Sequence, residues 1–292
     1  MDLELARTFL EVVGSGSFVG AGQHLNVSQS TVSMRVRLLE EQLGVRLFVR
    51  NKEGAALTPA GAQFQRHAAA LIRVWQQARQ DLLLPRRFRT TLRISGEAGL
   101  WNRWLHHLVP WMRQNAADIA LRCGVDLPEG MTHGLVEGLL DVGVMYSPRS
   151  RAGLQIVRFA EEELVFVEAE GPDGPNGSNE QVYVDWGNEF RHQHQMTFPD
   201  FPTPALYIGL GTLGFEQLLC NGGAGYFPLD LVEPHLAAGR ARLVPGMPTF
   251  ALPIYAVHAN GADADLIGVV LRGLSTIIAD HADIAKAEVS RI

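Results

Sequence analysis

The sequence predicts an α/β protein in two parts, a small helical head closed by a hairpin and a larger body of alternating strands and helices. Three observations carry this. Apolar residues recur at helical spacing through the first 45 positions. A long apolar stripe follows, through Phe64, Ala68, Leu71, Ile72, Trp75, Ala78 and Leu82, and stops at Pro85. After residue 90, short runs such as Leu92-Arg93-Ile94 alternate with helical patterns, as in sheets built from parallel crossovers.

In the head, Leu3, Ala6, Leu10 and Val13 predict an amphipathic helix, stopped by Gly14-Ser15-Gly16-Ser17. Phe18, Ala21 and Leu25 repeat the pattern over two turns, and Asn26-Val27 breaks it. Ser28 is placed to cap a third helix, because its hydroxyl can accept an unpaired backbone N–H. Val32, Val36, Leu39 and Leu43 form the buried stripe of that helix, and Gly44 ends it. Val45 to Arg50 can then pair with Ala55 to Thr58 as a short hairpin. The unit reads as a winged helix-turn-helix.

The face opposite the stripe carries Ser30, Met34 and Arg37, flanked by Thr31 and Ser33, with Arg35 beside them and Gln29 at the helix start. Ser and Thr can contact bases or phosphates, Arg suits guanine edges, Gln suits adenine, and an apolar group can meet a thymine methyl. A recognition helix uses mainly its N-terminal residues for bases. Arg50 and Lys52 sit on the wing, placed for phosphate contact.

The head resembles that of the LysR-type transcriptional regulators. It supplies Phe18, Ala21, Leu25, Ser28, Gln29 and Ser33 of the family pattern Phe-x-x-Ala-Ala-x-x-Leu-x-x-Ser-Gln-x-x-x-Ser, with Gly22 in place of the second alanine. The position after Ser33, often arginine in the family, is Met34. The resemblance implies double-stranded operator DNA as a partner. It also implies antiparallel pairing of the long helix into a homodimer, doubling to a tetramer, with RNA polymerase a further partner. Two heads then read two half-sites, which raises affinity through effective concentration.

Charge agrees with a localised nucleic-acid surface. The net charge is −6 and the pI near 5.9, against a protein that coats nucleic acid wholesale. Residues 1–88 nevertheless carry 11 Lys+Arg against 7 Asp+Glu, while the remainder carries 14 against 24. A basic head on an acidic body is the pattern of a DNA-facing module. The start, Met1-Asp2-Leu3-Glu4, is not a signal peptide, and no apolar run suits a membrane span, so a cytoplasmic, non-membrane protein is expected. Cys123 and Cys220 make no disulfide framework and read as buried thiols acting as small hydrophobes, with a redox pair as the alternative.

In the body, strands are expected at Leu92-Arg93-Ile94, Ile119-Ala120-Leu121, Val142 to Met145, twice within Leu154 to Val167, Val182 to Trp186, Leu206 to Leu210, Ala224 to Phe227 and Ile254 to Val257. Helices are expected around Leu100 to Trp111, Leu135 to Leu140, Thr212 to Cys220 and Leu266 to Ile278. Leu135-x-x-Gly138-x-Leu140-Asp141-Val142-Gly143-Val144 and Gly223-x-Gly225-x-x-Pro228 are similar to the family's effector domain. That resemblance implies two lobes like a periplasmic binding protein, joined by two crossovers. The expected division is 1–58 for the DNA-binding head, 59–89 for the linker helix and hinge, and 90–292 for the effector domain. Lobe 1 takes about 90–162 and 264–292, and lobe 2 about 163–263. Trp101, Trp104-Leu105, Asp185-Trp186-Gly187, Phe190 and His192 also resemble a branch of the family that includes a repressor of flagellar operons.

Ligands in such sheets bind beyond the carboxyl ends of strands. Ser95, Gly96 and Glu97 are expected in a ligand-contacting loop, with Trp101 on the next helix and Met145 and Tyr146 at another strand end. Trp186, Thr212 and Tyr226 are expected from lobe 2. Helix starts near Gly99 and Thr212 favour a carboxylate, which Glu97 would repel unless it pairs with Arg103. His192-x-His194, read as a strand, would be a metal pair, but it lacks the further ligands a site needs, and no metal or cofactor is expected. Gly209-x-Gly211-x-x-Gly214 nominally fits a dinucleotide motif without the acidic residue that should follow.

The expected function is a sequence-specific transcriptional regulator tuned by a small-molecule effector in the cleft, and not an enzyme. Two alternatives stand beside it: an effector-independent repressor with a self-filled cleft, and an enzyme with a DNA-binding head. No nucleophile elbow or phosphate-binding loop supports the last.

Overall fold

The structure is a computed structural model that describes residues 2–51, 54–171 and 181–289, without the side chains of 50, 51, 54 and 280–289. The expected contact residue Lys52 and most of the Gly171–Asn179 loop lie outside the described residues. The chain divides into two compact units, Met1–Pro85 and Arg86–Ile292.

In the first unit α1 spans Leu3–Ser15, α2 Phe18–Leu25 and α3 Gln29–Leu43. Asp2, Ser17 and Ser28 each cap a helix start through a side-chain oxygen. Gly16 and Gly44 end α1 and α3 in the left-handed conformation, and Asn26 does the same for α2 at φ 55°. Strands β1 (Phe48–Asn51) and β2 (Gly54–Leu57) pair antiparallel, Phe48 opposite Leu57. Glu40 accepts the Leu47 and Phe48 N–H groups at 2.7 and 3.2 Å, which fixes the wing to α3. Phe9, Val12, Val32, Val36, Leu39 and Leu47 form the core. Leu43, expected in the buried stripe, is exposed, because the stripe drifts off the core in the last turn.

Thr58 caps α4, which spans Pro59–Leu82. Its first half packs on the head through Ala68 and Phe64, whose ring meets Phe9 edge-on at 5.1 Å. Packing ends there. Leu71, Val74, Trp75 and Leu82 are exposed, Leu82 at 86%.

The second unit is built on one mixed seven-stranded sheet. Strand β3 (Thr90–Gly96) lies between β4 (Ile119–Val125) and β5 (Val142–Met145), parallel to both. Two long strands, β6 (Leu154–Ala169) and β11 (Phe250–Ala259), then run antiparallel to each other across the whole unit. At their outer ends β11 pairs β5, while β6 pairs β9 (Gly223–Pro228) and β10 (Arg242–Leu243). Their register slips at Ile254/Tyr255, where one lobe passes into the other. Parallel strands β7 (Val182–Val184) and β8 (Leu206–Ile208) complete lobe 2, with Gln181 bridging to Ala224.

Helices α5 (Ala98–Arg103), α6 (Leu108–Asn115) and α7 (Pro128–Val136) belong to lobe 1. Helices α8 (Asn188–Thr197), α9 (Gly211–Asn221) and α10 (Leu229–Ala237) belong to lobe 2. The last helix, α11 (Ala264–Val289), returns to lobe 1, where Gly273 admits the Trp111 ring and Leu108 of α6.

Five expectations are corrected. Leu154 to Val167 is one strand, because its acidic run alternates, with Glu161 and Glu163 outward and Glu162 buried. The helix expected from Leu100 to Trp111 is broken by a 3-10 turn at Leu105–His107. The helix expected around Leu135 to Leu140 starts earlier, at Pro128, and is over by Gly138, whose φ is +70°. His192 and His194 lie on α8, and two residues along a helix do not share a face. Cys123 on β4 and Cys220 on α9 are exposed rather than buried, and they are unpaired. Among the described residues no helix is long and apolar enough to cross a membrane.

Candidate DNA-reading surface and effector cleft

The face of α3 turned from the core presents Gln29, Ser30, Met34 and Arg37 to solvent, Met34 at 62%. Val32, Val36 and Leu39 on the other face fix its orientation. The N-terminal polar residues hold one another in place. The Ser28 hydroxyl meets Ser30 and Thr31 at 2.8 and 2.9 Å, and Gln29 donates to Ser33 at 3.2 Å. Arg35 differs from its neighbours: it turns back to α1, donating to Glu4 and to the Thr8 hydroxyl at 3.3 Å each. These contacts tie α3 to α1. Gly22 lets the turn close, since a Cβ there would lie 2.8 Å from the Val27 carbonyl.

In the second unit the two lobes enclose a cleft of about 170 Å³. Lobe 1 contributes Glu97, Glu129, Tyr146 and Arg149, and lobe 2 contributes Asp185, Trp186, Asn188 and Arg191. Of the expected effector residues, Glu97, Tyr146 and Trp186 come together here. The other six do not line it. Ser95 and Gly96 are strand residues within β3, and Gly96 is closed over by Leu105. Trp101 donates its indole N–H to the Gly124 carbonyl at 2.6 Å. Met145 packs with Met131, Leu135 and Val257. Thr212 lies in the first turn of α9, outside the lining. Tyr226 is buried among Phe166, Phe190 and Phe250, with its hydroxyl on the Pro248 carbonyl.

Trp186 closes the floor. It is 5% exposed, donates to the Tyr226 carbonyl at 2.9 Å, and meets the Tyr146 ring edge-on at 6.0 Å. Its ring lies over Gly211, where a Cβ would fall 2.1 Å from the indole. Gly214 likewise makes room for Val184. Gly211 and Gly214 of the nominal dinucleotide motif therefore serve packing, and the indole covers the α9 start that was expected to hold a carboxylate.

Behind the cleft lies a buried charge network that the sequence did not single out. Arg103 pairs with Glu162 through Nε at 3.1 Å and Nη2 at 2.9 Å, and with Asp230 of α10 at 3.4 Å. Glu162 also accepts from the Tyr146 hydroxyl at 2.9 Å and from the Trp104 indole. Arg103 is thus committed to Glu162 and Asp230 instead of Glu97. Burial, with Glu162 nearby, pushes Asp230 up to about 6. Glu97 accepts the Tyr146 N–H at 2.9 Å and has no ion-pair partner among the described residues. Burial pushes it up to about 7, helped by Glu129, Glu162 and Asp185.

Two family models match the chain: "Bacterial regulatory helix-turn-helix protein, lysR family" over residues 3–62, and "LysR substrate binding domain" over residues 85–172. Together they cover about half of it. The chain belongs to the LysR family of DNA-binding transcriptional regulators. Among curated relatives it is 28% identical over 279 residues to the HTH-type transcriptional regulator HdfR of Yersinia pestis (strain Pestoides F), covering 90% of this chain and 92% of the relative. HdfR of Yersinia pseudotuberculosis serotype O:1b (strain IP 31758) matches equally. Among solved structures, full-length CbnR complexed with its target DNA has a TM-score of 0.71 at 17% identity, covering 95% of this chain and 100% of that one. Vibrio fischeri DarR in complex with DNA has a TM-score of 0.57 at 19% identity, covering 95% and 99%. The expected winged head and two-lobed α/β effector fold is the LysR fold.

Proposed function

We propose that this LysR-family protein binds operator DNA as a homodimer in the cytoplasm, and that a small molecule in the inter-lobe cleft tunes that binding. The observation that carries the reading is the α3 face, where short polar groups, Met34 and Arg37 stand exposed over a fully apolar anchor. Gln29, Ser30, Thr31, Ser33, Met34 and Arg37 are proposed to meet the bases or their flanking phosphates. Arg50 and Lys52 keep their proposed phosphate role from the sequence alone. The exposed half of α4 supports pairing, because Leu71, Val74, Trp75 and Leu82 form an apolar stripe that its own head leaves uncovered. Doubling to a tetramer and contact with RNA polymerase extend the same reading.

Glu97, Tyr146 and Trp186 are proposed as effector contacts. A second reading, effector-independent repression, is favoured by the cleft's size. About 170 Å³ is below the 300 Å³ at which ligand pockets for drug-sized molecules begin. The deciding experiment maps genomic fragments bound by the full chain, then measures operator affinity against a metabolite panel. Tight fragments whose affinity shifts with a metabolite support the effector reading. Tight fragments indifferent to every metabolite support the second, and no specific fragment at any salt concentration refutes both.

A further inference from the structure

The cleft's polar groups are not evenly committed. At its mouth, Arg149 pairs with Glu129 at 3.0 Å and Arg191 with Asp185 at 3.3 Å. Asp185 is further held by the Gly187 N–H at 2.9 Å and by the Tyr207 hydroxyl. Both arginines therefore already have carboxylates. The inward backbone donor, the Tyr146 N–H, is taken by Glu97, and the start of α9 lies under the Trp186 ring. An incoming anion would compete with an existing partner at each of these points. Glu97 is the exception. It lines the cavity, one of its oxygens is held by a single N–H, and no cationic side chain reaches it among the described residues. Beside it stand two aromatic rings, Tyr146 and Trp186, and an aromatic face attracts a cationic head.

We propose that the effector is a small ammonium-bearing cation whose charged head seats against the Glu97 carboxylate, beside the Tyr146 and Trp186 rings. This rests on the cleft being the effector site and reverses the carboxylate expected from the helix starts. The small cavity sets the size, that of a short alkyl amine rather than a large metabolite.

The geometry has a linkage consequence. Glu97 faces Glu129, Glu162 and Asp185, with Arg149 and Arg191 at the mouth. Buried, and facing those three carboxylates, it keeps its proton to about pH 7. A seated cation favours the ionised carboxylate, so binding releases a proton. From the ionised fraction of a group titrating near 7, affinity rises about tenfold between pH 6 and pH 8.

The test is titration calorimetry on the full chain with n-propylammonium, propionamide and propionate, three probes of matched size. Propylammonium keeps its own charge across this pH range. The expected result is binding of propylammonium alone at pH 8, about tenfold weaker at pH 6. Its measured heat at pH 6 should vary with the ionisation enthalpy of the buffer, and at pH 8 hardly at all. Glu97→Gln should weaken that binding at least tenfold while the variant melts no lower than the parent. Ammonium binding that ignores pH and survives Glu97→Gln overturns the proposal. Propionate binding alone overturns it and leaves the cleft standing as effector site. No binding by any probe, with an operator affinity indifferent to every metabolite, overturns both.

Discussion

Replacing Glu97 by Gln should stabilise the effector unit at alkaline pH and leave it nearly unchanged in acid. In the folded chain the carboxyl titrates at about 7, against 4.5 for the ordinary group. The folded state therefore holds its proton over a window in which the unfolded chain has lost it. That contribution to stability is fully present below pH 4.5 and is lost as pH rises through 7. A shift from 4.5 to about 7 corresponds to roughly 3 kcal/mol at about 1.4 kcal/mol per unit. At pH 8 the fold carries a desolvated carboxylate at that cost. Gln carries no charge, and its side-chain oxygen can still accept the Tyr146 N–H. Denaturant melts of parent and variant at pH 5 and pH 8 isolate the effect, because Asp230 and His194 titrate in both. The variant should gain up to about 3 kcal/mol at pH 8 and little at pH 5. A gain independent of pH, or a loss at pH 8, would refute the assignment of Glu97 as a buried, cation-free carboxyl.

His194 should behave oppositely. Its ring is enclosed by Tyr183, Phe190, Phe198 and Phe201, and burial lowers its pKa below the usual 6.5, so stability is full above that value and falls as pH drops beneath it. His194→Leu should remove that acid-side loss in melts between pH 7 and pH 5. Trp75→Ala should weaken self-association by about 2 kcal/mol, some thirtyfold, in sedimentation equilibrium, as expected of an aromatic anchor at an interface centre. Arg37→Ala should cost about 1–3 kcal/mol of operator affinity and relax preference at one base pair, read by fragment selection. Arg35→Ala should lower the melting of the head by up to about 1 kcal/mol and leave base preference unchanged.

The head was legible almost residue by residue because its signals are local. Ser28 caps α3, Gly44 ends it, and Val32, Val36 and Leu39 face inward as helical spacing requires. The contacts of Arg35 to Glu4 and Thr8 were not legible, because these partners lie 31 and 27 residues upstream, beyond the reach of any periodicity. The body was legible as alternating strands and helices, but its crossovers were not. The run Glu161-Glu162-Glu163 looks like a break between two strands. Alternation was the available signal, since in an extended chain the central glutamate must face opposite to its neighbours.

That central glutamate also explains why the cleft was only partly foreseen. Glu162 faces inward because Arg103 awaits it from α5, with Tyr146 and Trp104 completing its acceptor needs. Arg103 is 7% and Glu162 2% exposed at the side chain, so neither charge could stand alone there. Once that pair forms, Glu97 loses the arginine that would have neutralised it and is left facing the cavity. The same arginine reaches Asp230 at the start of α10, on the lobe-2 side of the crossover. One side chain therefore links the crossover strand to the opposite lobe. A change in the charge of Glu97 is felt across the junction of the two lobes, because Glu162 lies between them electrostatically. An effector that ionises Glu97 acts beside the Arg103–Glu162–Asp230 network that joins the two lobes, which is where a small ligand can bias how they close.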